Sequence, residues 1–305
     1  MDAATHEDLQ DLRAMVEKLR AAIEAEELPW RQPWVEVPHQ NARSRKVYGL
    51  FFQISFGALG YPSAYWHTEA SLRELGLVPR PLAQPRMVWG VFPTQNRNGA
   101  EIGATTKPTR VYNEAELEGP LPKRRTRAHP DRVAQPEIDQ QRLDAWLAAL
   151  RIKLVPSETG CFYSHHEEYA RRWSSNDWYS GEIWMRPRKT FESDAAYWST
   201  AFHEVIHWTS SPARLNRKLK VGAEELVAEL GAIELCRKMG VPIGPELDLE
   251  HRAYLQSWGR ELAANPKLFH HICWEVARAV RWLDKASKAQ DSNIARYFAA
   301  SVGGV

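Results

Sequence analysis

The sequence lacks the features that mark disulfide-stabilised and membrane-spanning proteins. Its 305 residues include only three cysteines, widely spaced and without a Cys-x-x-Cys pair, which argues against a disulfide framework or a cysteine-only zinc site. No apolar run approaches the ~20 residues that a membrane span needs. The opening residues MDAATHEDLQ are acidic and polar, unlike a signal peptide. We therefore expect a globular protein in a reducing cytoplasm, with no membrane partner.

Net charge is also low, at +2, but its distribution is uneven. Residues 28–136 hold 15 Lys or Arg against 8 Asp or Glu, whereas residues 137–305 hold 22 of each. The first 27 residues hold 3 basic and 8 acidic side chains. A basic block beside a neutral half predicts two functions, one of which involves contact with a polyanion.

Hydrophobic periodicity and turn residues predict two domains of the α+β class. In the first half, apolar residues at helical spacing predict a helix over 6–26, and residues 50–56 fit either a buried helix or a strand. A short helix is expected to end near Gly76. Two β-rich segments, 86–93 and 109–113, flank an Asn-Gly turn signal at Asn98 and Gly99.

The second half is predicted to be mainly helical. Residues 114–137 are rich in proline and arginine and lack periodicity, which is typical of a linker. A short strand is expected at 181–187, and helices are expected at 138–151, 193–210, 222–240, 248–264 and 267–286. The predicted architecture is an N-terminal α+β domain over residues 1–136, followed by a mainly helical domain with a small sheet over residues 137–305.

The segment AFHEVIHWTSSPARLNR, residues 201–217, contains the pattern His-Glu-x-x-His. His203 and His207 lie about 40° apart around a helix, so both imidazoles can bind one metal ion from the same side. Glu204 is offset by about 100° from His203, close enough to act as a general base toward a water molecule. Because the pattern is short, an ordinary amphipathic helix with two histidines is the alternative.

A second helix, GAEELVAELGAIEL (222–235), offers carboxylates for a third ligand. Glu225 and Glu229 lie one turn apart on the same face, whereas Glu224 is about 100° away from Glu225. The alternative is a solvated acidic face. The apolar surroundings favour carboxylates with partners, because burying an unpaired charge is costly. Two imidazoles and a carboxylate suit Zn²⁺, and Mn²⁺ would also be accepted.

These segments resemble known metallopeptidases. HEVIH followed by ELVAELGA is similar to the gluzincin pattern, and YWSTAFHEVIHWTSSPARLNR, EELVAELGA and HRAYLQSW resemble the metallopeptidase domain of ArdC-type antirestriction proteins. That family is related to the N-terminal region of the plasmid primase TraC. The resemblance implies His203, His207 and Glu225 as ligands of a metal-dependent endopeptidase with an unidentified protein substrate. Glu229 would orient a histidine or water, although the two glutamates could exchange these roles.

Two further elements are assigned to the peptidase half. The strand GEIWMRP, 181–187, is expected to offer an edge for pairing with an extended peptide. Tyr254, in EHRAYLQSW, is a candidate for stabilising the oxyanion, with an ordinary surface tyrosine as the alternative.

The basic half combines cations with aromatic rings, as non-specific single-strand binding requires. LPWRQPW and the following ninety residues resemble the single-stranded-DNA-binding domain of the same family. In place of that family's glycine- and lysine-rich turn stands LGLVPRPLAQPR, where Arg80 and Arg86 are expected to contact phosphates. The alternative is that half of the aromatic rings belong to the core. The candidate DNA-binding residues are Trp30, Arg31, Trp34, Arg43, Arg45, Lys46, Tyr48, Trp66 and Arg86.

The functional expectation is a plasmid antirestriction protein that protects incoming conjugative DNA from host restriction. It would bind single-stranded DNA and carry a metalloprotease site. The alternative is a purely DNA-coating protein whose metal site is structural or vestigial.

Overall fold

The computed structural model consists of two compact units, one over Met1–Arg132 with Gly259–Phe269 and one over Val133–Trp258 with His270–Val305. Helices and small sheets occur in both units, which confirms the α+β class. The structure describes Ala14, Glu17 and Ala21, all helical, and residues 38–61, 63–95, 101–122, 137–164, 182–242 and 266–302.

A four-stranded sheet in the order β1-β2-β5-β4 forms the first unit. Its long antiparallel pair, β4 with β5, runs from Arg86 opposite Val111 to Gln95 opposite Glu101. Both β-rich segments predicted from sequence lie in this pair, and the Asn98-Gly99 turn lies outside the described residues. The strands are β1 (Gln40–Asn41), β2 (Tyr65–Thr68), β4 (Arg86–Gln95) and β5 (Glu101–Asn113), with β3 (Val78–Pro79) and β6 (Leu117–Glu118) forming a separate pair.

Helix α1 (Leu50–Ala58) is buried on nearly all sides, which explains why its sequence fitted a strand equally well. Its one long polar side chain, Gln53, is satisfied by the backbone of His39 and Tyr48. Helix α2 (Glu69–Leu75) begins at Thr68, whose hydroxyl accepts a hydrogen bond from the Ser71 N–H. It ends at Gly76, which adopts the left-handed φ of 64° that glycine tolerates.

The second unit contains a three-stranded sheet in the order β7-β9-β8. The predicted strand at 181–187 is β9, and it lies in the middle of this sheet. The expectation that it offers an edge to a peptide is therefore wrong, because β7 and β8 occupy both of its sides. The strands are β7 (Leu154–Pro156), β8 (Phe162–Ser164) and β9 (Glu182–Met185).

Four helices complete the described part of this unit, and three of them match their predicted bounds within about two residues. The fourth was expected to end at residue 286 but continues to Val302, and the helix predicted at 248–264 lies outside the described residues. None of the described helices is both long and apolar enough to cross a membrane. The helices are α3 (Gln140–Ala149), α4 (Asp194–Trp208), α5 (Val221–Met239) and α6 (Pro266–Val302).

Helix α4 packs closely against α5 at Gly231. A Cβ atom on Gly231 would lie 2.7 Å from Cγ1 and 2.8 Å from Cδ1 of Ile206, closer than real Cβ contacts. Ile206 is fully buried and β-branched, so its side chain has little freedom to move aside. The glycine therefore allows the approach that brings the faces of the two helices together.

We expect Gly231→Ala to destabilise the fold. Overpacking against Ile206 should cost about 1–3 kcal/mol of unfolding free energy, despite a helix-propensity gain of roughly 0.5–1 kcal/mol. Denaturant unfolding would measure the difference. Gly160→Ala is the matched control, because a Cβ there has no neighbour within 4 Å. Equal stability of the two variants would contradict this account of the α4–α5 contact.

Candidate metal centre and candidate nucleic-acid interface

The two histidines of α4 face a glutamate of α5. The Nε2 atoms of His203 and His207 lie 3.1 Å apart. The Glu225 carboxylate meets both, with Oε2 3.4 Å from Nε2 of His203 and Oε1 3.5 Å from Nε2 of His207. The structure thus brings together three donor atoms from two helices, all within 4.8 Å of one another.

The size and chemistry of this triangle fit a divalent ion. Tetrahedral Zn²⁺ with ligand distances of about 2.0–2.1 Å separates its ligands by about 3.3 Å, and the three separations measured here are 3.1, 3.4 and 3.5 Å. Three protein donors leave a fourth position open, as in catalytic zinc sites. The Glu225 side chain is 28% exposed, so the centre borders solvent on that side. The same donors would accept Mn²⁺.

The outward-facing nitrogens of both imidazoles lie against other carboxylates. Oε2 of Glu229 lies 3.8 Å from Nδ1 of His203, and Oε1 of Glu224 lies 3.3 Å from Nδ1 of His207. A carboxylate at Nδ1 orients the ring and directs Nε2 toward the metal position. Glu225 therefore faces both Nε2 atoms, whereas Glu229 lies on the outer side of His203, beyond hydrogen-bond distance of Nδ1.

Glu224 and Arg217 are functional candidates that sequence reasoning missed. Nε and Nη2 of Arg217 donate to the two oxygens of Glu224 at 2.7 and 2.5 Å, and the guanidinium also donates to the Ile206 carbonyl and to the Thr209 hydroxyl. The Arg217 side chain is fully buried. The only signal for Glu224 in the sequence was its position beside Glu225. No linear pattern indicates that Arg217, which lies between α4 and α5 in the chain, folds back onto both helices.

Carboxylates dominate the electrostatics of the centre. Although burial disfavours the imidazolium, the surrounding carboxylates of Glu225, Glu229 and Glu204 raise the pKa of His203 to about 10. Burial also disfavours the charged form of His207. Hydrogen bonds to Glu224 and Glu225 outweigh this effect, so the pKa of His207 is raised as well. Burial would raise the pKa of Glu225, yet its contacts with both histidines lower it. The cluster is thus built to hold positive charge, and a bound ion would displace protons.

Strand β8 holds the carboxylate of Glu204. Its Oε2 accepts a hydrogen bond from the backbone N–H of Tyr163 at 2.7 Å, and the side chain is buried. Arg214 donates to the Tyr163 hydroxyl at 3.1 Å and lies 3.9 Å above the ring of Trp208. The backbone of β8 therefore fixes Glu204, the candidate base. The Tyr163 side chain of that strand is in turn held by Arg214, which follows α4.

Three exposed cations of the first unit lie close together on one turn, the basic loop Asn41–Val47. Oδ1 of Asn41 accepts hydrogen bonds from the backbone N–H groups of Arg43 and Ser44, at 3.1 and 2.8 Å, which fixes the turn. Arg43 forms an ion pair with Glu74. The Arg45 guanidinium lies 5.0 Å from the ring centroid of Tyr65, and Lys46 is exposed beside it. A cationic turn next to an aromatic ring is chemically suited to a nucleic-acid strand.

The other DNA-binding candidates that the structure describes are buried or half-buried. Trp66 was expected to stack on a base, but this expectation is wrong, because Trp66 is fully buried with its ring 3.8 Å from that of Phe56. The Tyr48 ring also packs against Phe56, and burial raises the pKa of Tyr48 to about 12. Arg86 is half-buried and donates to the Tyr61 hydroxyl. Trp30, Arg31, Trp34 and Tyr254 lie outside the described residues.

Comparison with known proteins agrees with this geometry. Residues 141–271 match the family described as zincin-like metallopeptidase, and the histidine-glutamate centre lies within that range. This part of the chain is therefore similar to zincin-like metallopeptidase domains.

Over almost its whole length the chain is similar to the antirestriction protein ArdC of the R388 plasmid. The metal-free crystal structure of ArdC has a TM-score of 0.63 and 27% identity, covering 91% of this chain and 98% of that one. The Mn(II)-bound structure has a TM-score of 0.64 and 27% identity, covering 90% and 97%. The resemblance to ArdC-type antirestriction proteins predicted from sequence is thereby confirmed.

The chain is also similar to the DNA primase TraC of Escherichia coli. The two are 25% identical over 273 residues, which is 83% of this chain. The chain spans only 25% of the length of that relative, and 18% of a second TraC primase.

We expect the protein to bind about one divalent ion per chain, with unequal contributions from the two neighbouring glutamates. His203→Ala should abolish binding. Glu225→Gln should weaken it more than Glu229→Gln, because loss of an orienting partner typically costs only 10–100-fold. Titration of Zn²⁺ and Mn²⁺ against a competing chelator would measure this. A larger loss in Glu229→Gln than in Glu225→Gln would show that the two glutamates exchange roles.

Proposed function

We propose that this protein is an antirestriction protein that combines a metal-dependent endopeptidase with a unit that binds single-stranded DNA. It would protect incoming conjugative DNA in the cytoplasm of the recipient cell. One observation carries the proposal: His203, His207 and Glu225 converge beside Glu204 in a chain that is similar to ArdC over 91% of its length.

In the proposed centre, His203, His207 and Glu225 hold the ion, which would be Zn²⁺ or Mn²⁺. A divalent ion held there would polarise a peptide carbonyl and lower the pKa of a nearby water. Glu204 is the general base that accepts the proton of the attacking water and passes it to the leaving amine. Because Oε2 of Glu204 is already bound to the Tyr163 N–H, Oε1 is the atom assigned to this transfer. A third ligand from a second helix is the gluzincin arrangement.

The proposed DNA contact is the basic loop. Arg45 and Lys46 would neutralise phosphates, and Tyr65 would offer a ring for a base. Arg43 contributes less in this proposal, because its guanidinium is shared with Glu74. A similar protein, TraC, is a DNA primase, which supports a nucleic-acid ligand.

A DNA-coating protein with a structural metal site is the second candidate. The observation that favours it is the position of the centre, whose donors come from α4 and α5 and so would cross-link two buried helices. A structural ion stabilises the fold without any turnover. Glu204 distinguishes the two candidates, because a general base has no role in a structural site.

We expect Glu204→Gln to abolish proteolysis while leaving metal binding intact. The substitution keeps the size of the side chain and removes the carboxylate that accepts the proton, a change typically worth 10²–10⁴-fold in rate. Cleavage of casein with Zn²⁺ or Mn²⁺, with and without a chelator, would measure activity, and metal content provides the control.

The same variant decides how much protection depends on proteolysis. Conjugation efficiency into a restricting host would be compared between the parent and Glu204→Gln. Full protection by the variant would favour the DNA-coating candidate. Loss of protection with DNA binding retained would show that protection depends on the peptidase activity.

For the basic loop we expect Arg45→Gln/Lys46→Gln to weaken binding of single-stranded DNA. Each neutralised phosphate contributes about −0.7 to the slope of log affinity against log salt, so the slope should flatten by about 1.4. Arg73→Gln/Arg110→Gln removes two exposed cations elsewhere in the same unit and serves as the control. Identical affinities and slopes for the two double variants would show that the basic loop is not the DNA-binding site.

A further inference from the structure

A line of exposed side chains along α6 is basic and aromatic. Among the side chains of this helix that the structure describes between residues 268 and 288, five are exposed and none of these is acidic. Together with half-buried Arg278 they recur at alternating intervals of three and four residues, which places them on one helical face. We call this face the α6 stripe: His271, Trp274, Arg278, Arg281, Lys285 and Lys288.

Positive charge prevails on the α6 stripe because the neighbouring carboxylates are already paired. Glu275 is bound by Arg278, and Asp284 is shared between Lys288 and Lys238. Arg281 donates only to the Ala277 carbonyl of its own helix in the contacts that the structure records. A solvated helix face usually mixes both signs of charge, so this face is complementary to a polyanion.

One end of the α6 stripe is aromatic. The rings of His271 and Trp274 are stacked, with centroids 6.0 Å apart and planes at 16°, and the guanidinium of Arg278 lies 5.4 Å from the Trp274 ring. Trp274 remains 38% exposed. An exposed indole flanked by cations offers a face on which a nucleic-acid base can stack. Binding of a protein partner or a lipid headgroup would not specifically require such a face.

We propose that the α6 stripe is a second contact surface for single-stranded nucleic acid, on the metallopeptidase unit itself. Phosphates lie along Arg281 and Lys285, with a smaller contribution from Lys288, which is shared with Asp284, and a base stacks on Trp274. From His271 to Lys288 the stripe is about 26 Å long at 1.5 Å per residue, room for several nucleotides. The proposal shares its ligand class with the proposed function but does not depend on the basic loop.

The test uses the full chain loaded with metal and a single-stranded dT40 oligonucleotide over a salt series. Arg281→Gln/Lys285→Gln/Lys288→Gln keeps helix propensity and removes three cations from the stripe. Lys189→Gln/Lys218→Gln/Lys220→Gln removes three exposed cations elsewhere in the same unit, with the same change in net charge. Melting temperature and metal content verify that each variant is folded.

We expect the stripe variant to bind more weakly and its salt slope to flatten by about 2, while the control triple variant binds like the parent. Trp274→Ala should weaken binding of dT40 about five- to 150-fold and leave binding of heparin, which has no bases, unchanged. Photo-cross-linking with an iodouracil-substituted oligonucleotide should label peptides within residues 271–288.

Parental affinity and salt slope in the stripe variant would overturn the proposal, even if the basic-loop variant confirms DNA binding elsewhere. The converse result, loss in the stripe variant and none in the basic-loop variant, would support the α6 stripe and refute the loop. If Trp274→Ala binds dT40 like the parent and heparin competes fully, the stripe is a surface for another polyanion and the nucleic-acid proposal is wrong.

Discussion

The contact between α4 and α5 is the constraint on which the candidate centre depends. Gly231 allows α5 to approach Ile206, and Ile206 lies directly before His207 in the chain. With that contact in place, carboxylates from the first turns of α5 reach imidazoles on α4 at 3.3–3.5 Å. The same packing that buries apolar side chains therefore sets the separation between the donors.

Burial of this much charge requires compensation, and the structure provides it in layers. The histidines are surrounded by the carboxylates of Glu224, Glu225 and Glu229, and Glu224 is in turn bound through two nitrogens by Arg217. A buried arginine is costly unless its donors are paired, and Arg217 also donates to the Ile206 carbonyl. The three carboxylates around the two imidazoles leave a candidate metal position in which a positive charge would be stabilised.

Linear patterns predicted which residues of α4 would lie together, but not what surrounds them. His203, Glu204 and His207 could be identified because helical spacing alone places them on neighbouring positions of one element. The partners of Glu204 and Glu224, the Tyr163 N–H and Arg217, lie 41 and 7 residues away on other segments. Trp66 was misassigned for a related reason: a tryptophan in a basic region has the same sequence environment whether it lies in the core or at the surface.

The sequence by itself determined the α+β class, most helix bounds of the second half and the placement of His203, Glu204 and His207 on one helix, because periodicity and spacing act within a single element. The tertiary structure decided which of Glu225 and Glu229 faces the Nε2 atoms, placed β9 in the middle of its sheet, and left the face of α6 that carries the α6 stripe exposed. These features depend on how separate elements meet. Such contacts are set by packing and burial over long sequence separations, which no local pattern records.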